Sequence, residues 1–470
     1  MQGNESPAST RAALWCQLYA ALCLLSALAS IPWLDRLTSV LLVLSTFLFA
    51  IVCRYSQRYL SGDPGHARFL FWLCLTASFV FALVLSQNLL LFALAWCGVS
   101  LSLHQLLQFY SHRPAALLAA RKKFLISRLG DAALLAALVL THRIFGTWDF
   151  QPIFLAAQRL QNAGQENLPP SIHLLGGLLV FAALLKSAQF PFHSWLPDTM
   201  ETPTPVSALM HAGIINAGGI LVLRLSPLVS LSPYAMLALV AVGGFTALFA
   251  STIMLTQASV KRSLAFSTVA QMGFMMLECG LGAFHLALVH IVAHSLYKAH
   301  AFLSSGSAVL SKPEPQSPPT RPLSVALSLL AAASTTFSVA AALGVPIFHH
   351  LALNAIFALA LAQVLWSASP HFRRAWHLSL ALAGAALLSC AYFALHILAE
   401  RIVQPVAGAS SPAGLAILAA FLLVAVAQAR LTALAQTPFG ERLYVHARNG
   451  FYCNTLANRC TAALWPAKSF

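Results

Sequence analysis

The residues best able to do chemistry in this sequence lie inside apolar runs. The stretch Leu184–Arg224, LLKSAQFPFHSWLPDTMETPTPVSALMHAGIINAGGILVLR, holds Lys186 in a run interrupted by Pro191 and Pro197. The next run starts at Pro203 and buries His211 about two turns in. A lysine in hydrocarbon costs on the order of 2.5–3.5 kcal/mol, so such groups face a polar or water-filled interior and suggest a proton or cation path. A helix broken at the same depth supports that reading, because freed backbone groups persist only where protein or water satisfies them. Snorkelling of Lys186 to an interface is the blander alternative, but the residue sits beside the break without basic neighbours.

A second cluster lies in FHLALVHIVAHSLYKAHAFLSSGS, where His290, His294 and Lys298 follow at i, i+4 and i+8 and so share one helical face. A lone buried histidine is more often a satisfied core group. Three titratable groups on one face make a proton relay, since neutral imidazole both donates and accepts. His285 and His300 point off this face; His300 is close enough to the cluster to be kept as an accessory, whereas His285 lies near the outer end of the run and is left out. Asp131, in ISRLGDAALL, either pairs with Arg128 at i−3 or meets a cation from a neighbouring helix. Asp198 and Glu201 either cap the helix beginning near Pro203 or line a cytoplasmic mouth. The expected ion-translocating set is therefore Lys186, His211, His290, His294 and Lys298, with Asp131, Asp198, Glu201 and His300 as accessory residues.

The elements that must position these groups follow from composition. The chain has 470 residues, 59% hydrophobic and 8% charged, with mean hydropathy +0.77. Soluble domains carry about 25% charge, so the chain is predicted to be an all-α polytopic membrane protein. A transmembrane barrel would alternate in ten-residue strands instead. Runs near 20 residues place fourteen spans at 12–31, 36–53, 69–86, 88–110, 124–141, 172–198 (the broken one), 203–224, 233–256, 262–279, 283–309, 323–343, 349–367, 376–398 and 412–434. The first is read as a retained helix, not a cleaved signal.

The net charge of +15 sits in short loops and gives no reason to invoke nucleic acid. Arg54, Arg58, Arg68, Arg113, Arg121, Lys122, Lys123, Arg128, Lys261, Arg262, Lys312, Arg321, Arg373 and Arg374 fall on one side of a fourteen-span arrangement. The positive-inside rule makes that side cytoplasmic, together with both termini. Residues 142–171 read as a longer polar connection outside, and 311–322 as an extended Pro-rich loop. The organisation is a helical bundle over 1–434 and a cytoplasmic or interfacial tail over 435–470, whose mixed aromatic and basic residues suit an interface or a partner. The nine cysteines are scattered singly, with no CxxC pair or His/Cys metal spacing, and read as small core residues. No phosphate-binding glycine loop, nucleophile–base arrangement or haem signature occurs, so neither a cofactor nor a metal is expected in this chain.

KSAQFPFHSWLPDTMETPTPVSALMHAGIINAGG, SVKRSLAFSTVAQMGFMM, HIVAHSLYKAHAFLSSGS and SRLGDAALLAALVLTHRIFGTWDF resemble the signature of the proton-conducting membrane subunits of complex I (chain 5, the L chain), Mrp antiporters and membrane hydrogenases, over roughly residues 35–310. The resemblance implies a bundle with two inverted repeats, each holding a broken helix. It matches Lys186 to the family's central lysine, His211 to its bridging histidine, His290, His294 and Lys298 to the set of the second half, and Asp131 to the acid of an Arg-x-Gly-Asp span. Two departures stand out. Cys97, in AWCGVSLSLHQLLQFY, replaces the glutamate that partners the central lysine, and the eleventh span, SVALSLLAAASTTFSVAAALGV, has no lysine.

These departures, with the tail LYVHARNGFY, look more like the DabB-type branch. That resemblance implies an inner-membrane subunit, not itself an enzyme, in an inorganic-carbon accumulation complex. Its H⁺ or Na⁺ flow would drive CO2 hydration by a DabA-type, zinc-containing, carbonic-anhydrase-like partner. The alternative is a pumping subunit of a complex I-like NADH–quinone oxidoreductase or membrane hydrogenase. A passive membrane anchor is the third class.

Overall fold

The computed structural model describes residues 7–164, 168–307, 322–369, 375–404, 406, 411–430, 434 and 436–466. The Pro-rich segment and the basic residues Lys312, Arg321, Arg373 and Arg374 lie outside these. The chain folds as helices α1 Pro7–Ser30, α2 Arg36–Tyr59, α3 His66–Leu85, α4 Leu89–Leu107, α5 Pro114–Phe145, α6 Phe150–Asn162, α7 Pro170–Lys186, α8 Thr204–Ala212, α9 Ala217–Arg224, α10 Pro233–Met254, α11 Val260–Gly280, α12 Phe284–Leu303, α13 Pro322–Ala342, α14 Leu351–Ala368, α15 Ala375–Glu400, α16 Ser411–Ala429, α17 Pro438–Arg448 and α18 Cys453–Leu464. Among the described residues, twelve helical stretches are long and apolar enough to cross a membrane, with α8 and α9 counted as one stretch. Of the fourteen spans expected, the sixth and the ninth fall outside this count: α7 is shorter, and α11 is more polar.

The stretch Thr204–Arg224 is the centre of the bundle. It is 89% buried, against 6% for the last span, so protein surrounds α8 and α9 while most of the surface of α16 is open. Both central elements are interrupted. α7 stops at Lys186, and a turn with Ala188 at φ +51° and a cis Phe190–Pro191 bond leads into short helical turns up to Glu201. The break therefore comes before Pro191, and Lys186 is the last residue of its half-helix. A cation at that position answers the negative end of the helix dipole. The span carrying His211 is broken too: α8 ends at Ala212, and Gly213 at φ −123°, ψ −71° separates it from α9. The eleventh span, α13, is continuous over Pro322–Ala342, so the break that the resemblance implies for it is absent.

Two further expectations are corrected, and the tail gains structure. The fifth span extends from 124–141 to Pro114–Phe145, which draws Arg121, Lys122 and Lys123 out of a loop and onto a helix. The connection 142–171 contains an amphipathic helix, α6, burying Phe150, Ile153 and Ala157. The tail is helical where described, and α18 packs back on α5.

Close helix packing depends on small residues. α10 and α11 form the largest helix pair. A Cβ on Gly273 would meet Ala247 N at 2.6 Å and Gly243 O at 2.7 Å, both backbone atoms that cannot swing away. Gly→Val at 273 should thus force the pair apart. The expected result is at least a several-fold drop in folded, monodisperse protein, since overpacking alone costs about 1–3 kcal/mol. Gly177→Ala is the control, because nothing lies within 4 Å of the added Cβ. Cys16, Cys53 and Cys74 also meet where α1, α2 and α3 pack, with Sγ–Sγ distances of 2.7 and 3.4 Å from Cys16.

Candidate functional site

Polar contacts sort the bundle into two ends. At the basic end Lys122 Nζ donates to Asp198 Oδ2 and Asn454 Oδ1, each at 2.6 Å, and Asn454 donates back to Asp198 at 3.0 Å. Arg113 pairs with Glu201 at 3.3 Å, and Lys261 donates to Thr204 Oγ1 at 3.0 Å. Asp198 and Glu201 do not cap α8, whose N-cap is Pro203 with no side-chain bond; they serve as ion-pair partners instead. At the opposite end Arg224 donates to Thr38 Oγ1 at 2.6 Å and to Val84 O at 2.9 Å, and pairs with Asp35 at 3.3 Å.

Between the ends lie two clusters of buried charge. The first centres on Ser100. Its hydroxyl accepts from Lys186 Nζ at 2.8 Å, and its carbonyl accepts from Lys123 Nζ at 2.8 Å. Lys186 Nζ also reaches Trp96 O at 3.3 Å and stands 4.2 Å from the centroid of the Trp96 ring. Arg128 and Asp131 pair at 2.5 Å, and Asp131 acts electrostatically on both Lys186 and Cys97. The acid of α5 thus lies within electrostatic reach of Lys186, where Cys97 on α4 stands in place of a carboxylate. Lys123 is 3% exposed, so the basic-loop expectation fails for it. Its sequence signal was masked by the basic run RKK at a span start.

The second cluster joins α8, α11 and α12. Lys298 Nζ donates to Ser267 Oγ at 2.8 Å and to Leu264 O at 3.0 Å. His211 Nδ1 lies 3.0 Å from Thr268 Oγ1, its ring stacks on Phe302 at 4.3 Å, and its Nε2 is buried without a hydrogen-bond partner. His294 is buried with neither ring nitrogen bonded, and acts electrostatically with His290, Lys298 and His211. His290 Nδ1 meets Glu278 Oε2 at 3.0 Å. Glu278, a buried carboxylate in MLECG, is a site residue the sequence reading passes over. His300, by contrast, is exposed and is not among the partners of these groups. A cavity of about 400 Å³ opens on Ser267, Gln271, Glu278, His290, His294 and Tyr297, giving the second cluster room for water.

No hydrogen bond among the described residues joins the two clusters, and His211 belongs to the second. Two separate polar contacts lie between the helices that carry them. Ser187 Oγ donates to Ile215 O at 2.8 Å, and Asn216 Nδ2 donates to Ser295 Oγ at 2.8 Å. Gly218 makes the α7–α9 contact possible, since a Cβ there would lie 2.4 Å from Ala183 O.

Comparison with known proteins agrees with this architecture. The family described as "NADH:quinone oxidoreductase/Mrp antiporter, TM" matches residues 86–372, and the N-terminal part of complex I chain 5 matches residues 32–70. The chain is 42% identical over 449 residues to the "Probable inorganic carbon transporter subunit DabB2" of Halothiobacillus neapolitanus, covering 92% of this chain and 80% of that one. It is 44% identical over 279 residues to the DabB subunit of Hydrogenovibrio crunogenus, covering 59% of this chain and 53% of that one. Identity to the chloroplastic NAD(P)H-quinone oxidoreductase subunit 5 of Lemna minor is 41% over 280 residues, 59% of this chain and 37% of that one. A chain of the Mrp complex from Dietzia sp. DQ12-45-1b superposes with a TM-score of 0.58 at 23% identity, over 93% of this chain and 53% of that one, which establishes a shared fold. The chain belongs to the NADH:quinone oxidoreductase/Mrp antiporter membrane family, within its group of inorganic carbon transporter DabB subunits.

Proposed function

We propose that this chain is the cation-conducting membrane subunit of an energy-coupled inorganic-carbon accumulation complex, carrying H⁺ or Na⁺. The observation that carries the reading is Lys186, buried at the end of a broken half-helix and held by Ser100 Oγ at 2.8 Å. In this reading the ion enters at the basic end, taken as cytoplasmic along with both termini, beside Lys122, Asp198 and Glu201. His193, buried nearby with Nδ1 unbonded, extends that entrance. Lys123 and Lys186 share Ser100, so the proton occupancy of each depends on the other. In this reading the ion passes Ser187 and Asn216 to reach His211, Lys298 and His294, and His290 with Glu278 opens onto the cavity of about 400 Å³.

The energy released would drive one-way hydration of CO2 in a DabA-type, zinc-containing partner docked at the inner membrane face. The chain itself would catalyse no reaction. Purifying the tagged chain from its native membrane tests this. Co-purification of a large soluble zinc protein whose loss abolishes carbon uptake is the expected result. Recovery of iron–sulfur and quinone-binding subunits instead would replace it with a complex I-like pump.

A further inference from the structure

At the end of the bundle opposite the basic loops, four groups from three stretches of the chain converge. His285 lies in the first turn of α12, His396 and Glu400 in the last two turns of α15, and His350 at the N-cap of α14. The ligand atoms of His285, His396 and Glu400 all lie within 4.8 Å of one another. His396 Nε2 is 3.1 Å and His285 Nε2 4.0 Å from Glu400 Oε1. The His350 ring centroid is 5.3 Å from that of His285 and 6.1 Å from that of His396.

His285 is fully buried, and neither of its nitrogens has a hydrogen-bond partner; His396 Nδ1 and His350 Nε2 are buried and unbonded as well. Buried imidazoles are normally satisfied, so this many idle nitrogens around one carboxylate point to an absent ligand. Nitrogen donors argue against calcium or magnesium, which take oxygen. A His/carboxylate set suits zinc. In a tetrahedral site with bonds of about 2.0–2.2 Å, neighbouring donor atoms stand about 3.3 Å apart, so shifts of about 1–1.5 Å bring the donors of His285, His396 and Glu400 to that spacing, while His350, outside that group of three, has to swing in from the neighbouring turn.

We propose that His285, His396 and Glu400, with His350 in the fourth position, form a zinc site that ties α12 to α14 and α15. Glu400 is 41% exposed and provides the entry path. The tie has a structural purpose. The helices α13 to α15 have a small apolar core of their own around Leu361, Leu365 and Trp366. They meet the main bundle across a cavity of about 320 Å³ lined by Gln271, Glu278, Ile356 and Tyr392. A metal at the rim of this weakly packed seam would hold it shut. The site is distinct from the ion-carrying face, which begins one turn further along α12 at His290.

The test uses the full chain in lipid nanodiscs, carried on a tag without histidine, stripped of partner and metal, and titrated with Zn²⁺. The expected result is about one equivalent bound with a dissociation constant near 1 µM or tighter, a several-degree rise in Tm, and a tetrahedral visible spectrum with Co²⁺. Glu400→Gln and His396→Asn, singly, should each weaken binding about 10- to 100-fold. Both are near-isosteric, and Glu400 is partly exposed, so folded protein is expected. His446→Ala, in the tail, should bind as wild type does. No saturable binding by wild type below about 10 µM zinc, or unchanged binding by both single variants, overturns the proposal.

Discussion

A Lys186→Met chain should insert, fold and assemble, yet lose ion-driven inorganic-carbon uptake by about tenfold or more. The argument weighs what Lys186 costs against what it returns. Burial of a lysine costs about 2.5–3.5 kcal/mol. The charge-assisted bond to Ser100 Oγ returns about 1.5–3 kcal/mol, and the Trp96 face about 0.5–2 kcal/mol. The two sides roughly cancel, so the fold gains little from a cation that an apolar residue of the same length could replace. Stability should therefore be unchanged or slightly higher in the variant, by thermal melting in detergent, while uptake falls. A variant that keeps full uptake at normal expression would reduce the chain to a passive anchor for its partner. Carbon-limited growth and labelled bicarbonate uptake, normalised to membrane content, measure the difference.

The sequence made Lys186, His211 and Lys298 legible for one reason: charge inside an apolar run of membrane length is conspicuous. The same logic fails wherever charge sits near a span end. Lys123 reads as part of a basic loop because the RKK run hides the ten residues by which α5 extends beyond its apolar centre. Glu278 escapes notice at the end of α11, although its partner His290 is found. Arg224 reads as a span boundary, whereas it is 8% exposed and locked to Asp35 and Thr38 from a helix almost 190 positions away in sequence. Contacts of that range follow from packing, which no local pattern encodes. The gathering of His285, His350, His396 and Glu400 is invisible for the same reason; only the His396–Glu400 spacing is local.

Cys97 illustrates how a missing residue can be misread from the sequence alone. Replacement of a lysine-partnering glutamate by a thiol suggests a lysine left without a counter-charge. The fold places Asp131 within electrostatic reach of both Lys186 and Cys97, with Arg128 on its other side. The carboxylate influence on Lys186 therefore comes from α5, already bound to a cation. Compared with a glutamate on α4, this partner acts on the lysine while shared with a guanidinium.

Lys298→Arg separates a proton carrier from a fixed charge. Arginine keeps the positive charge and can still donate to Ser267 Oγ and Leu264 O, but its guanidinium does not release a proton. If Lys298 only sets the local field, the variant should transport within about twofold of wild type. If Lys298 passes the proton between His211 and His294, both of which interact with it electrostatically, uptake should fall about tenfold or more while the chain remains assembled. Lys298→Met should do the same, so two chemically opposite replacements would share one phenotype. The double variant Lys186→Met, Lys298→Met should be no worse than either single one, because groups acting in series on one path are non-additive. Additive losses would instead separate the Ser100 cluster from the His294 cluster as two independent routes, and the Ser187–Asn216 link would then carry no ion.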